Sequence, residues 1–312
     1  MMLRGFSVVA AIAVVTAVLI PVQWASVALK LPSRRSIPVL YHRMVCSLLG
    51  IRVRVLGERA REHPLLVVAN HSSWLDVPVI TAAMPAVFVA KREIAGWPLL
   101  GLLAKLQRSV FVDRERRHKT GEVNAQIAQR LTEGDPVVLF GEGTSSDGNR
   151  VLPFRSALIG AARDALAEAE HSGRVLIQPL SVAYTGFHGL PMGRVHRHVV
   201  AWYGAMEFVP HLMKVLRHGA FDVVLTWGTP IAYEARTDRK SVARSLELTV
   251  RRLTAQALRG RSTEACGHSF LPKKPVRESR ALGCKEGMAE APESIEMRCE
   301  PERPGPTSTQ PA

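Results

Sequence analysis

Residues 67–76 read VVANHSSWLD, from Val67 to Asp76. An apolar run, Leu65 to Ala69, enters a polar turn, and the turn leads into a helix start. A strand that ends in a polar turn before a helix is the repeating unit of α/β proteins. The flanking sequence has the same texture. Alternation through Ile51-Arg52-Val53-Arg54-Val55-Leu56-Gly57 predicts a half-exposed strand, and apolar runs at 86–90, 109–113 and 137–140 predict buried ones. Val123, Ile127 and Leu131 recur every four residues ahead of Gly134, the pattern of an amphipathic helix with its stop. Further strands are expected at 175–183, 197–203 and 221–227. A long amphipathic helix is expected at 241–258, covering one sheet face with Val242, Leu246, Val250, Leu253 and Leu258.

The turn after residue 69 holds the chemistry. In a continuous helix, positions five apart lie about 140° round from each other, so His71 and Asp76 would not share a face. In a strand-turn-helix they can meet at the carboxyl end of a strand, where open α/β sheets place their ligand crevice. Asp76 would accept from one ring nitrogen, fixing the tautomer and leaving the other nitrogen to take a proton from an attacking hydroxyl. No G-x-S-x-G supplies a protein nucleophile, so the nucleophile belongs to the substrate.

The 312 residues carry 41 Lys+Arg against 27 Asp+Glu, a net charge of +14. Residues 263–312 hold seven Lys/Arg and eight Glu, so the excess lies in residues 1–262, which should seek polyanions. Between Arg4 and Lys30 run 25 residues without a formal charge, enough to cross a hydrocarbon core of roughly 30 Å. A membrane is therefore the favoured polyanion. Pro21 and Gln23 divide the run, which leaves a tilted span and a bent, interfacial anchor both open. A cleaved secretory signal, with Ser26-Val27-Ala28 as its cleavage site, fits less well because the run is long. Lys30, Arg34, Arg35 and Arg43 follow the segment, which puts the body on the cytoplasmic side, and the apolar residues 37–50 continue along the bilayer. The four cysteines form no C-x-x-C pair, consistent with a reducing compartment. The eleven histidines fall in no metal spacing, and aromatic content of 6% with no recognised motif argues against nucleic acid. Seven prolines and the absence of apolar periodicity predict that residues 263–312 stay disordered.

Asn70-His71-x-x-Trp74-x-Asp76 resembles the first motif of the glycerolipid acyltransferases, the PlsC-like lysophospholipid acyltransferases. Val110 to Arg114 resembles their second motif, Phe140 to Ser146 the third and Gln178-Pro179-Leu180 the fourth, in the family's order across residues 35 to 260. The resemblance implies a mixed, largely parallel α/β sheet flanked by helices, an anchor at 1–34, a catalytic domain at 35–262 and a bacterial inner-membrane location. It implies acyl transfer to the hydroxyl of a lysolipid from acyl carrier protein or coenzyme A thioesters, with no bound cofactor and no metal. On the positions that match, it makes His71 and Asp76 catalytic and assigns substrate contacts to Asn70, Arg114, Glu142, Gly143 and Thr144, with Trp74 a packing residue.

The third motif departs from the family's F-P-E-G-T-R-S: Gly141 replaces the proline and Ser145 the arginine. A serine cannot present a charged fork to a phosphate. The sequence EGTSS followed by Asp147 to Arg155 resembles the branch that acylates lyso-ornithine lipid, whose acceptor carries no phosphate. Arg150 and Arg155 are the residues that could replace the missing arginine and keep lysophosphatidate as an acceptor. Outside enzymes, a basic membrane-surface lipid-binding protein fits the same charge pattern.

Overall fold

The computed structural model describes residues 2–113, 120–160, 174–234, 238–260 and 268–269. All of them lie in one compact unit, Met1–Pro272, and the second unit, Lys273–Ala312, lies outside the described residues. The chain runs α1 (Met2–Ala28), α2 (Ser33–Leu49), β1 (Arg52–Leu56), β2 (Leu65–Ala69), α3 (Asp76–Ala83), β3 (Val87–Lys91), α4 (Leu100–Leu106), β4 (Val110–Val112), α5 (Thr120–Thr132) and β5 (Val137–Phe140). It continues through β6 (Arg174–Phe187), β7 (Leu190–Pro191), α6 (Phe208–His218), β8 (Phe221–Trp227), β9 (Ile231–Glu234), α7 (Arg239–Leu258) and β10 (His268–Ser269).

The sheet order is β10-β1-β8-β6-β2-β5-β3-β4. β6, β2, β5, β3 and β4 are mutually parallel, while β8 pairs antiparallel with β6 and carries β1 parallel to itself. The expected mixed, largely parallel sheet is what forms. β2 is buried along its whole length, and its alternating side chains feed two cores. Leu65, Val67 and Ala69 pack under α2, α3 and α6, whereas Leu66 and Val68 pack under α5 and α7. Val242, Leu246 and Val250 of α7 lie in the second core, as their spacing predicts. The Asp238 side chain caps that helix by accepting from the Lys240 and Ser241 N–H groups.

The strand expected at 197–203 does not form. Residues Arg194–Val199 make a 3₁₀ helix and 200–203 lie outside any strand. β7 already pairs with the end of β6 before this segment, and the N–H groups of Val200 and Ala201 bond to the Arg197 carbonyl, a local turn in place of a ladder. Residues 37–49 belong to α2, whose Val45, Cys46 and Leu49 enter the first core while Leu40 and Met44 stay exposed. In the C-terminal stretch expected to stay disordered, His268–Ser269 pair with β1.

α1 runs unbroken through Pro21. Gln23, which reads as an interruption of the apolar run, faces inward and donates to the carbonyls of Leu106 (2.9 Å) and Arg34 (3.1 Å). Thr16 meets the Tyr41 hydroxyl at 3.0 Å. The opposite face, with Phe6, Val14, Val18 and Trp24, is exposed, and Gly5–Ala28 is long and apolar enough to cross a membrane. Three of the four cations after this segment have partners in the body. Arg34 and Arg35 pair with Glu133 and Asp135, and Arg43 donates to the Ala82 carbonyl.

Candidate active site

The parallel strands β2 and β5 end side by side, and each delivers one motif to the same place. At the end of β2 the Asn70 amide is fixed on β6: it donates to the Val182 carbonyl (2.9 Å) and accepts from the Val182 N–H (2.8 Å). Asn70 is thus a buried fastening and does not line the main cleft. The His71 ring lies flat on Phe140, with centroids 3.9 Å apart and 16° between planes.

His71 Nδ1 lies 2.8 Å from Asp76 Oδ2. Asp76 is fully buried, and the same oxygen accepts from the N–H groups of Ser72 (2.8 Å) and Ser73 (3.0 Å). Its other oxygen accepts from the Tyr184 hydroxyl at 2.8 Å. Three donors outside the imidazole, the N–H groups of Ser72 and Ser73 and the Tyr184 hydroxyl, hold this buried carboxylate immobile. Oδ2 already serves as an acceptor to two N–H groups, so Nδ1 donates to it as well and carries the imidazole proton, and Nε2 keeps its lone pair. His71 borders the cleft and Asp76 does not.

Glu142 is placed differently from a carboxylate aimed at an acceptor. It is 2% exposed, and its two oxygens accept from the N–H groups of His71 (2.9 Å) and Leu152 (3.0 Å). Burial pushes its pKa up to about 8 against the pull of those two donors. Ser146 holds the same residue by its carbonyl, with its N–H 2.8 Å and its hydroxyl 3.2 Å from the His71 carbonyl oxygen. The third motif therefore grips His71 by its backbone. Gly141 sits where a Cβ would fall 2.7 Å from the Phe154 ring, which leaves no room for a proline. Gly143, at φ +66°, turns the chain so that Thr144 and Ser145 reach the cleft.

The cleft holds about 490 Å³. Trp74, Val77, Phe88, Trp97, Leu139 and Phe140 give it an apolar body, and His71, Thr144 and Ser145 give it a polar end. Trp74 both lines the cleft and is fixed in the fold, its indole N–H donating to His211 Nδ1 at 3.0 Å. Trp202, Tyr203 and Gly204 form part of the wall, and Trp202 N–H is bonded to the Ser72 carbonyl at 2.8 Å. Arg150 and Arg155 are exposed and do not border the cleft. Arg150 lines a small separate cavity with Ser72 and Arg197, and the Arg155 stem abuts Gly143. Arg114 lies outside the described residues. The sequence pattern alone assigns no role to Tyr184 or Ser146. Tyr184 is one aromatic on a strand more than a hundred residues from Asp76, and its only sequence signal is its place two residues after Val182, on the same face of β6.

Residues 51–183 match the family model described as Acyltransferase. A lyso-ornithine lipid O-acyltransferase of Brucella abortus is 48% identical over 259 residues, covering 83% of this chain and 97% of the relative. The chain belongs to the acyltransferase family. A Rhizobium meliloti protein of the same name is 47% identical, covering 80% of this chain and 86% of the relative. The crystal structure of the 1-acyl-sn-glycerophosphate acyltransferase PlsC from Thermotoga maritima superposes with a TM-score of 0.55 at 20% identity, over 82% of this chain and 96% of that one. The four motifs read from the sequence thus mark an acyltransferase, and the sheet has the PlsC fold.

Proposed function

We propose that this acyltransferase moves a fatty acyl chain from a thioester donor to the hydroxyl of lyso-ornithine lipid, with His71 as general base. The observation that carries the mechanism is the His71–Asp76 pair: Nδ1 is committed to a buried acceptor, so the basic nitrogen is the one left to the cleft. Nε2 takes the acceptor's hydroxyl proton as its oxygen attacks the thioester carbonyl, and the imidazolium is stabilised by Asp76. Collapse of the tetrahedral intermediate forms the ester and expels the thiolate, which takes up that proton. No acyl-enzyme is needed. The backbone N–H groups of Thr144 and Ser145 serve the oxyanion, the Gly143 N–H being bonded to the Phe140 carbonyl, and the apolar body of the cleft takes an acyl chain.

The choice of acceptor rests on Ser145, which brings a neutral side chain to the cleft where the family carries arginine, and on the activity by which the two bacterial relatives are named. Both candidate donors, acyl carrier protein and coenzyme A thioesters, are polyanions suited to a chain of net charge +14. Such thioesters are cytoplasmic, so the body faces the cytoplasm on a bacterial inner membrane with α1 in the bilayer. The test offers the purified protein in detergent labelled acyl-carrier-protein and coenzyme A thioesters with lyso-ornithine lipid or lysophosphatidate. Acylation of the ornithine acceptor, reduced about 10²- to 10⁴-fold in His71→Ala, is expected. Equal use of both acceptors would show that Ser145 does not select. Wild-type activity retained by His71→Ala would refute the mechanism.

A further inference from the structure

Residues 188–218 hold four Arg/Lys and five His against a single acid, Glu207. The structure gathers much of this charge on one surface made from three consecutive pieces: the turn into β7, the 3₁₀ helix Arg194–Val199 and α6. His188, His196 and His218 surround one ring, Phe187, at centroid distances of 4.3, 5.9 and 5.8 Å. Lys214 ties α6 to the 3₁₀ helix by donating to the His198 carbonyl at 3.2 Å. Among the described residues, Arg194, Lys214 and Arg217 have no ion-pair partner. Like charges crowded without carboxylates raise one another's energy, and an anionic counter-surface relieves it.

The same surface is apolar as well as cationic. Leu190, Val195, Val209 and Met213 are 71, 77, 64 and 46% exposed. Cations interleaved with exposed aliphatic side chains suit the headgroup region of an anionic bilayer, which takes up both. Continuity selects that occupant over an acidic protein. α6 packs against α1, whose outer face is the apolar one, so the two surfaces adjoin. The cleft wall Trp202-Tyr203-Gly204 lies in the chain between the 3₁₀ helix and α6.

We infer that the β7 turn, the 3₁₀ helix and α6 form a second membrane-docking surface, separate from α1, that binds anionic lipid headgroups and holds the cleft mouth at the bilayer. α1 tethers the enzyme and this surface orients it. Its kinetic consequence rests on the lysolipid-acyltransferase reading above, while the docking itself does not.

The experiment uses the full chain with Cys266, Cys284 and Cys299 changed to Ser and a fluorophore on Val195→Cys. Vesicles carry brominated acyl chains, of phosphatidylcholine alone or mixed with phosphatidylglycerol. Quenching is expected on the anionic vesicles and is expected to fall sharply in Arg194→Gln/Lys214→Gln/Arg217→Gln. Each cation near such a surface contributes about fivefold in binding, so three contribute on the order of 100-fold. The same triple variant should raise KM for a long-chain acceptor in anionic vesicles with kcat unchanged. A water-soluble short-chain acceptor should be turned over as before, which also shows that the variant folds. A label that stays unquenched on anionic vesicles overturns the inference. So does a label protected by acyl carrier protein without lipid, together with a defect confined to carrier-protein donors, since the surface would then serve the donor. If the parent protein acylates neither acceptor, the substrate reading fails and the quenching alone decides the docking surface.

Discussion

Tyr184→Phe isolates one bond of the site without opening a cavity. The hydroxyl it removes lies 2.8 Å from Asp76 Oδ1, and Asp76 is fully buried, so no bulk water replaces the lost donor. A hydrogen bond to a charged group is worth about 1.5–3 kcal/mol, and that range is the expected loss of stability. The three remaining donors, His71 and the N–H groups of Ser72 and Ser73, all sit on Oδ2, so Tyr184 is what holds Oδ1. On the mechanism proposed above, catalysis should respond through the orientation of the base, because a carboxylate held by one oxygen fixes the imidazole less firmly. Each 1.4 kcal/mol lost from the transition state is about tenfold in rate, so the whole 1.5–3 kcal/mol would lower kcat/KM by about 10- to 100-fold, an upper bound. The assay is kcat/KM of acyl transfer for wild type and variant, with thermal melts of both in the same detergent. An unchanged kcat/KM together with an unchanged melting temperature would refute the role assigned to Tyr184.

Glu142 should leave a signature in stability against pH. Its folded pKa, about 8, stands above the usual 4.5, so between those values the folded state binds the proton more tightly than the unfolded one. Its contribution is complete below about pH 4.5 and is lost as pH rises towards 8, so Glu142→Gln should flatten that part of the melting-temperature profile; equal slopes in both proteins would contradict the assignment. Gln23→Leu removes two donated hydrogen bonds and strands the Leu106 and Arg34 carbonyls, for an expected cost of about 1–3 kcal/mol and faster proteolysis at the α1–α2 turn. Ser145→Arg puts a guanidinium at the polar end of the cleft and should raise the use of lysophosphatidate over lyso-ornithine lipid by at least about tenfold, measured as a ratio of kcat/KM values.

The local patterns were the legible part. The buried strand before His71, the amphipathic spacing of α7 and the composition of each motif depend on neighbours within about twenty residues. His71 and Asp76 meet as their spacing across a strand-turn-helix predicts. What escaped the sequence is contact between distant segments. Glu142 reads as an acid in a glycine-flanked turn, and only the sheet order puts its carboxylate under the His71 N–H. Gln23 reads as a flaw in an apolar helix because the carbonyl it satisfies is 83 residues away. The segment after residue 197 has a strand's composition, but a strand needs a free edge at the right place, and sequence composition carries no record of edges.

These contacts explain why the first and third motifs occur together. His71 has its side chain fixed by Asp76, its N–H by Glu142 and its carbonyl by Ser146, so two strand ends hold one residue at three points. If His71 is the base proposed above, a base held that tightly can be matched to different acceptors by changing neighbours that do not touch it. Ser145 is such a neighbour, because it lines the cleft while Glu142 and Ser146 on either side do the holding. Exchange at that position can alter which headgroup enters while the proton-transfer geometry stays as it is. Gly141 belongs to the same division of labour, since it makes room for Phe154 and leaves His71 untouched. On the mechanism proposed above, the two departures from the family pattern therefore fall on acceptor choice and on loop packing, and neither falls on the base.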